Sequence, residues 1–345
     1  MIDPYPDLPH RIKNYVLNSV IGKGGFAIVY KAVNVFYNVE FAVKVICPPK
    51  DGSERILRSF ESEVSALIKI DHPNVIRLYD FFQEDGNLFL VLEYCNGGSL
   101  ESKIANGEVI SEQNKIKICS EIISAMKYCY DQSIAHRDIK TANVLFDANG
   151  RVKVADFGLC ELIGHDESFN QFNGSLCYAS PEILKMVAFN PFKSDVWSLG
   201  VLIYRLFTYT SPFTGKTRDE LKSRIKEGYY TDRTQGAISK IIKKMLVVDP
   251  EMRISIDQLS KSEVFTYDSQ KLAKGNCNTT SSSRMIKLTP NLVQLASSRR
   301  RSSLSKTLTN YQSKTNPSFA NKPRCMNLLS HPTFTTSSPN VNDKQ

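Results

Sequence analysis

The chain contains 345 residues, with 44 Lys and Arg against 35 Asp and Glu, which gives a formal net charge of +9. Hydrophobic residues make up 41% of the total, a normal share for a globular enzyme. The longest apolar runs are far shorter than the ~20 residues that a membrane helix needs, so we expect no transmembrane segment.

A glycine-rich segment opens the folded part of the chain, between two predicted strands. It reads Ile21-Gly22-Lys23-Gly24-Gly25-Phe26-Ala27-Ile28-Val29. Glycines have no Cβ and allow unusual φ angles, so their backbone amides can approach phosphate groups closely. The segment therefore predicts a phosphate-binding loop, although ordinary turns also use such strings.

A lysine among apolar residues and an amphipathic helix come next. Lys44 ends the strand-like run Phe41-Ala42-Val43-Lys44, and helical spacing follows over residues 53–70. The apolar positions of that helix share one face: Ile56, Phe60, Val64, Leu67 and Ile68. Two carboxylates of the same helix, Glu61 and Glu63, are the candidate partners of Lys44.

The most informative run lies between His136 and Gly158. It begins His136-Arg137-Asp138-Ile139-Lys140-Thr141-Ala142-Asn143 and ends Asp156-Phe157-Gly158. Phosphoryl transfer needs a carboxylate to orient the attacking hydroxyl, oxygen ligands to hold Mg²⁺, and a cation to offset charge on the transferred group. The run supplies all of these groups, and it therefore predicts a phosphoryl-transfer site.

These strings resemble the catalytic and metal-binding loops of the eukaryotic protein kinase family, H-R-D-L-x-x-x-N and D-F-G. Ile139 is the only change inside the first string, and it is an apolar swap. The resemblance implies a two-lobed α+β fold, with a β-rich N-lobe to about residue 92 and a helical C-lobe from about residue 96. It implies a kinase domain over residues 12–267, after an N-terminal extension at residues 1–11.

The resemblance assigns catalytic roles by position. Asp138 would orient the acceptor hydroxyl, and Lys140 would stabilise the moving phosphoryl group. Asn143 and Asp156 would bind Mg²⁺. A serine or threonine acceptor is implied, because serine/threonine kinases carry a lysine two residues after the catalytic aspartate, in contact with the hydroxyl at the Ser175 position.

The resemblance also implies an ATP site between the lobes. Lys44 would contact the phosphates and pair with Glu63 in the active state, and Glu61 is the surface alternative. Leu92 would guard the back of the pocket, and Glu93-Tyr94-Cys95 would bind adenine through the backbone. The other expected ATP-binding residues are the glycine-rich segment from Ile21 to Val29, and Ala42 and Leu145, which with Val29 would sandwich the adenine ring.

Further family positions concern structure and peptide selection. Glu182, in Ser180-Pro181-Glu182, would form a buried ion pair with Arg253, and Asp195 would accept backbone donors of the catalytic loop. The positions that contact arginine in some kinases are here Ser99, Ala142 and Arg205. None is acidic, so we expect weak selection of arginine two and three residues before the acceptor.

Ser168 is the candidate activation phosphosite, since it is the only hydroxyl residue between Leu159 and Gly174. A phosphate there could pair with Arg137 and order the segment. Alternatively, Asp166 and Glu167 already supply the charge, or Ser168 has no role. The three hypotheses remain open.

The net positive charge lies in the C-terminal tail. Residues 268–345 hold 12 Lys and Arg, 2 Asp and Glu, and 23 Ser and Thr. Such a segment cannot bury enough apolar surface to offset its chain entropy, so we predict a disordered basic tail. Ser303, after Arg299-Arg300-Arg301, is a candidate site for an upstream kinase, although a solvated linker or contact with anionic surfaces is equally consistent with this composition.

The subgroup is less sharply marked. The glycine-rich segment resembles that of polo-like kinases, with Ala27 where the family has a third glycine. The stretch from Gly174 to Glu182 is closer to the calcium/calmodulin-dependent and AMP-activated-like group, which we favour weakly. Ala27 and Ser180, which replaces the family alanine, are the only support for the alternative function, a pseudokinase scaffold without catalysis.

The eight cysteines contain no C-x-x-C pair, which favours reduced thiols. Asp3 and Asp7 interrupt any apolar signal sequence at the start of the chain. We therefore expect a cytoplasmic or nuclear protein. Cys95 and Cys160 would lie near the nucleotide, as reactive or as buried inert thiols.

Overall fold

The computed structural model describes residues 4–24, 27–48, 54–158, 161–162 and 176–265. The predictions made for Gly25, Phe26, Cys160, Ser168, Ser175 and Ser303, and for the tail at 268–345, lie outside the described residues. Across the described ranges, every helix is too short or too polar to cross a membrane.

The N-terminal part of the chain forms an antiparallel sheet. Its strands are β1 (His10–Ile12), β2 (Tyr15–Lys23), β3 (Ala27–Asn34), β4 (Val39–Ile46), β5 (Leu78–Glu84) and β6 (Asn87–Glu93). Within the described residues they pair in the order β1-β2-β3-β4-β6-β5. Ile28, Tyr30 and Ala32 of β3 are buried while the residues between them are partly exposed, which is the alternation that a strand imposes.

The residues before β1 pack against this sheet. Tyr5 is 8% exposed, and its ring stacks on His10 with the centroids 4.4 Å apart. It also contacts the rings of Tyr30 and Phe89 in the core. Within the predicted extension at residues 1–11, the Tyr5 ring therefore covers apolar surface of the sheet.

One helix, α1 (Glu54–Lys69), lies between β4 and β5. Its bounds are one residue inside the predicted range of 53–70 at each end. Of the predicted apolar face, Phe60, Val64 and Leu67 are buried, and Ile56 and Ile68 are partly exposed. Glu63 is buried beside them at 2% exposure, so the burial of this carboxylate needs a charged partner.

The rest of the described chain is mainly helical. Its helices are α2 (Leu100–Ala105), α3 (Glu112–Asp131), α4 (Pro181–Lys185), α5 (Pro191–Thr208), α6 (Arg218–Glu227), α7 (Gly236–Met245) and α8 (Ile256–Ser260). Short strands β7 (Ile134–Ala135), β8 (Val144–Phe146), β9 (Val152–Val154) and β10 (Glu161–Leu162) pair as β7 with β10 and β8 with β9. This β-rich N-lobe and helical C-lobe confirm the fold class expected from the sequence.

Helix α5 forms the centre of the C-lobe. The Asn190 side chain caps its first turn. Trp197, the only tryptophan of the chain, is fully buried and stacks on Phe213 with the ring centroids 5.4 Å apart. Gly200 allows α5 to approach α7, because a Cβ at this position would lie 2.9 Å from the Cβ of Met245. Helix α5 is thus held against Phe213 through Trp197 and against α7 through Gly200.

A buried ion pair joins α4 to the segment before α8. The guanidinium of Arg253 donates to both carboxylate oxygens of Glu182, at 2.8 and 3.0 Å. It also donates to the carbonyl oxygens of Val247 and Lys193. The Arg253 side chain is 0% exposed and that of Glu182 is 5% exposed, so neither charge has access to water as a substitute partner.

Replacing Glu182 with Gln should lower the free energy of unfolding by about 3–5 kcal/mol, because it strands the buried Arg253 charge. The control is Asp71→Asn, which breaks the exposed Arg77–Asp71 pair (side chains 47% and 84% exposed) and should cost at most about 1 kcal/mol. Urea unfolding measures both variants. Equal losses in the two variants would contradict the structural role of the Glu182–Arg253 pair.

Candidate active site

The catalytic loop is attached to α5 by one carboxylate. Asp195 is 1% exposed, and its two oxygens accept the backbone N–H groups of His136 at 2.7 Å and Arg137 at 2.8 Å. Arg137 has φ +67°, a left-handed conformation that is costly for a residue with a Cβ. The two hydrogen bonds hold this backbone in place, which sets the direction of the residues that follow.

His136 links this loop to the segment that carries Asp156. Its Nδ1 accepts the backbone N–H of Asp138 at 3.2 Å, so the proton is on Nε2, which lies 3.1 Å from the carbonyl oxygen of Ala155. The imidazole also packs on the Phe157 ring, with centroids 4.6 Å apart. The histidine therefore acts as a structural link between two loops.

The side chains of Asp138, Lys140 and Asn143 form one cluster. Lys140 Nζ lies 2.6 Å from Asp138 Oδ2. Asn143 Nδ2 donates to the same oxygen at 3.0 Å and to the Asp138 carbonyl at 2.8 Å. These bonds fix the carboxylate through Oδ2 and do not use Oδ1. A fixed carboxylate beside an ammonium can orient a hydroxyl and stabilise charge that develops on it.

Lys44 joins both lobes. Its ammonium lies 2.9 Å from each carboxylate oxygen of Glu63 in α1, and 2.9 Å from Asp156 Oδ1. Helix α1 reaches the same loop a second time, through the Ser59 hydroxyl, which donates to the carbonyl of Gly158. Of the two carboxylates weighed from the sequence, Glu63 makes the contact with Lys44, and Glu61 is half-buried elsewhere on the helix.

The pKa values of this group follow from the contacts. Burial alone would lower the pKa of Lys44, but the Glu63 and Asp156 carboxylates outweigh it and the pKa lies above its ordinary value. The Lys44 ammonium holds the pKa of Asp156 below its ordinary value. Burial raises the pKa of Glu63 despite the opposing effect of Lys44. Asp156 is therefore the carboxylate that is most firmly ionised in the group.

The described part of the glycine-rich segment lies at the turn of the β2–β3 hairpin. Gly22 pairs with Val29 across the hairpin. The N–H of Gly24 donates to the Ala27 carbonyl at 2.8 Å, so the turn closes with alanine at this position. Ile21 is 46% exposed just before the turn.

The sheet register puts several predicted ATP-binding residues on one face. Val29 is paired with Lys44, and Ala42 is paired with Leu92. Because residues two apart in a strand share a face, Ala42 and Lys44 point the same way. Ile28 differs: its side chain is 1% exposed in the apolar core, so only its backbone remains available to a nucleotide.

The segment that connects the lobes begins at Glu93. Its N–H donates to the Arg77 carbonyl at 2.9 Å, and its carboxylate lies 2.9 Å from Lys153 Nζ in β9. The Lys153 side chain is only 9% exposed. The Glu93 side chain is thus engaged with the C-lobe, and adenine recognition through the backbone of this segment stays a prediction.

Three further residues lie at this connection: Cys95 and Gly97 in the segment itself, and Leu145 in β8. Burial raises the pKa of the Cys95 thiol to about 12, so the thiol is neutral at neutral pH, which favours the inert alternative. Gly97 is required by close contact, because a Cβ there would lie 2.8 Å from the Cβ of Phe146. Leu145, between two buried residues of β8, is partly exposed. Its backbone forms a bridge with Ser99.

The model of the protein kinase domain matches residues 15–265 of the chain. The chain belongs to the protein kinase family. It is 33% identical over 253 residues to human NUAK family SNF1-like kinase 1, an alignment that covers 73% of this chain and 38% of the human protein. It is 32% identical to the Danio rerio serine/threonine-protein kinase SIK3 homolog (73% and 21% covered) and 32% identical to the Dictyostelium discoideum serine/threonine-protein kinase MARK-C (77% and 35%).

These kinase relatives belong to the group related to AMP-activated kinase, which confirms the group that the sequence weakly favoured. The chain spans well under half the length of each of them, and the shared region is the kinase domain. The family uses ATP with Mg²⁺.

The donor atoms of Asn143 and Asp156 suit Mg²⁺. The amide nitrogen of Asn143 is the donor in both of its contacts with Asp138, so its Oδ1 is the atom suited to a cation. Asp156 uses Oδ1 for Lys44, and its lowered pKa keeps the carboxylate charged. Amide and carboxylate oxygens are ligands that Mg²⁺ prefers. The two side chains therefore fit the ion assigned to them.

Sequence reasoning missed several side chains near the catalytic loop. Glu101, Thr141 and Tyr178 form a polar group with Arg205, which was considered only as a position that is not acidic. The group is assembled from four distant segments, so no local pattern indicates it. Lys153 was missed for a different reason, because a lysine between two valines is typical of a solvated strand face.

Replacing Glu63 with Gln should reduce phosphate transfer by roughly 10²-fold, because Lys44 loses the partner that positions it. Glu61→Gln is the matched control, on the same helix and outside the Lys44 contacts, and should leave the rate unchanged. Steady-state kinetics with varied ATP measure both. A larger loss in the Glu61 variant would show that Glu61, and not Glu63, positions Lys44.

Replacing Lys44 with Met should raise the pKa of Asp156 towards the ordinary value of about 4, because it removes the charge that lowers it. As the pH falls, the wild-type carboxylate keeps its charge to a lower pH than the variant does. Carboxyl ¹³C NMR titration, with Asp156→Asn to identify the signal, measures this difference. Identical titration of the two proteins would contradict the electrostatic effect of Lys44 on Asp156.

Proposed function

We propose that this protein is an ATP- and Mg²⁺-dependent serine/threonine protein kinase. The observation that carries the proposal is the position of Lys44, whose ammonium contacts Glu63 of the N-lobe and Asp156 of the C-lobe at the same distance of 2.9 Å. In this arrangement the lysine that would contact the phosphates and the aspartate that would bind the metal are held beside each other. Such preorganisation is the main catalytic contribution in phosphoryl transfer.

Each residue then has a defined task. Asp138 orients the acceptor hydroxyl and takes its proton late in the transfer, and Lys140, 2.6 Å away, offsets charge on the transferred group. Asn143 and Asp156 hold Mg²⁺, which when bound neutralises charge on the phosphate oxygens. Lys44 and the backbone of the glycine-rich turn hold the phosphates of ATP. The acceptor class is serine or threonine, a proposal supported by Lys140 and by the Danio rerio and Dictyostelium discoideum relatives, which are named as serine/threonine kinases.

The two substitutions that suggested a pseudokinase are accommodated. The Ser180 hydroxyl lies 2.9 Å from that of Ser194, and both side chains are buried, so the polar atom that replaces the family alanine has a partner. Ala27 closes the glycine-rich turn through its backbone carbonyl. Neither substitution removes a catalytic group, and we therefore favour catalysis over a scaffold role.

The substrates are proposed to be proteins with serine or threonine acceptors. Three further points stay predictions from the sequence. They are control by an upstream kinase at Ser168 or Ser303, contact of the basic tail with anionic surfaces, and a cytoplasmic or nuclear location. The domain bounds at residues 12 and 267 are also predictions from the sequence.

Wild-type protein should transfer phosphate from labelled ATP to a generic serine/threonine substrate in the presence of Mg²⁺, and Asp156→Asn should abolish the transfer. The substitution removes the charge that binds the metal while it preserves shape, so the variant should remain folded. Asp138→Asn is the companion variant: it should also lose transfer, yet still show thermal stabilisation by ATP and Mg²⁺. Nucleotide binding without transfer by the wild type, after phosphorylation by an upstream kinase has been tried, would favour the scaffold.

A further inference from the structure

Helix α1 is attached to the segment that carries Asp156 by a hydrogen bond between two uncharged groups. The Ser59 hydroxyl donates to the backbone carbonyl of Gly158. Ser59 lies four residues before Glu63 in α1, and residues four apart share a face of a helix. One edge of α1 therefore makes two contacts: Glu63 binds Lys44, and Ser59 binds the backbone of the Asp156 segment directly.

The backbone of Gly158 packs beside the charged group of the active site. A Cβ at Gly158 would lie 3.4 Å from Asp156 Oδ1, 3.4 Å from Glu63 Oε2 and 3.6 Å from Lys44 Nζ. These are ordinary van der Waals separations from all three charged groups. A bond that holds the Gly158 carbonyl therefore also holds the backbone next to the ammonium and the two carboxylates.

The two attachments of α1 differ in the groups that they use. In the proposed function Lys44 contacts the phosphates of ATP and Asp156 binds Mg²⁺, so the Lys44–Asp156 contact depends on two groups that take other partners during the reaction. The Ser59–Gly158 bond uses a hydroxyl and a backbone carbonyl to which neither ligand is assigned. This bond can therefore persist while Lys44 and Asp156 change partners.

We propose that Ser59 is a positioning residue that keeps α1 against the Asp156 segment while ATP and Mg²⁺ engage Lys44 and Asp156. The proposal rests on the proposed function, since it concerns a state that only a nucleotide-binding kinase reaches. The Ser59 hydroxyl acts through the backbone of Gly158, and its effect on the reaction is the placement of Lys44, Glu63 and Asp156 relative to one another.

Replacing Ser59 with Ala removes the bond and should lower kcat by roughly fivefold, the effect of one net hydrogen bond. The KM for ATP should stay within about twofold of wild type, because the groups assigned to ATP are retained. Alanine is a better helix former than serine, so the variant should remain folded. Ser59→Thr keeps a hydroxyl donor and should recover most of the wild-type kcat.

Replacing Ser59 with Asp distinguishes hydrogen bonding from packing. A carboxylate can only accept, so it faces the Gly158 carbonyl without a proton to donate. Its negative charge is also added beside Glu63 and Asp156, which repel it. The kcat of Ser59→Asp should therefore fall further than that of Ser59→Ala.

Amide hydrogen exchange along α1 gives a readout that is independent of phosphate transfer. Exchange of residues 54–69 in the full chain is compared without nucleotide and with a non-hydrolysable ATP analogue plus Mg²⁺. In Ser59→Ala it should be faster than in wild type mainly in the bound state, where the Lys44–Asp156 contact is weakened. A general loss of stability would accelerate exchange equally in both states.

The matched control is Ser223→Ala, which removes a hydroxyl that donates to Glu227 on the exposed side of α6. This variant undergoes the same chemical change on another helix, and it should keep the wild-type kcat and the wild-type exchange of α1.

A kcat of Ser59→Ala equal to that of wild type would overturn the role of Ser59 and leave the kinase function intact. Equal acceleration of exchange with and without the ATP analogue would also overturn it. Absence of transfer by wild type, after phosphorylation by an upstream kinase has been tried, would overturn the proposed function and the role of Ser59 together. These outcomes are distinguishable because the wild-type assay is read first.

Discussion

The active site depends on one ammonium group that is shared between two carboxylates. Lys44 is fixed to the N-lobe by its strand and reaches Asp156 in the C-lobe, while Glu63 of α1 keeps it from moving away. Without Lys44, the buried Glu63 charge would have no partner, and Asp156 would lose the cation that lowers its pKa. The contacts of Lys44 therefore help to hold α1 in position, keep Asp156 ionised and join the two lobes.

A second constraint comes from the C-lobe. Arg137 and Asp156 both have φ +67°, a conformation that costs of order 1–3 kcal/mol when a Cβ is present. Asp195 holds the first through backbone N–H groups, and Lys44 holds the side chain of the second. His136 connects the two loops, so the strain is distributed over a rigid unit built on α5. The carboxylate of Asp138, which we propose to be catalytic, is placed by that unit.

Local sequence patterns predicted those features that depend on residues close together in the chain. The apolar spacing of α1 gave its buried face, and the two catalytic strings gave the loop residues that cluster around Asp138. Two kinds of information were out of reach. The packing of Tyr5 depends on a core assembled from later strands. The polar group of Glu101, Thr141, Tyr178 and Arg205 joins four segments that only the fold brings together. Lys153 was missed for a different reason: its alternation with two valines is typical of a solvated strand face, and only the fold shows that it is buried against Glu93.

The most direct test is a double-mutant cycle on Lys44 and Glu63, read as the rate of phosphate transfer. If Glu63 acts by positioning Lys44, then Lys44→Met with Glu63→Gln should be no slower than Lys44→Met alone, a strong coupling of the kind found for residues in contact. If instead the two losses add, Glu63 acts independently of Lys44, and the account of the active site given above is wrong.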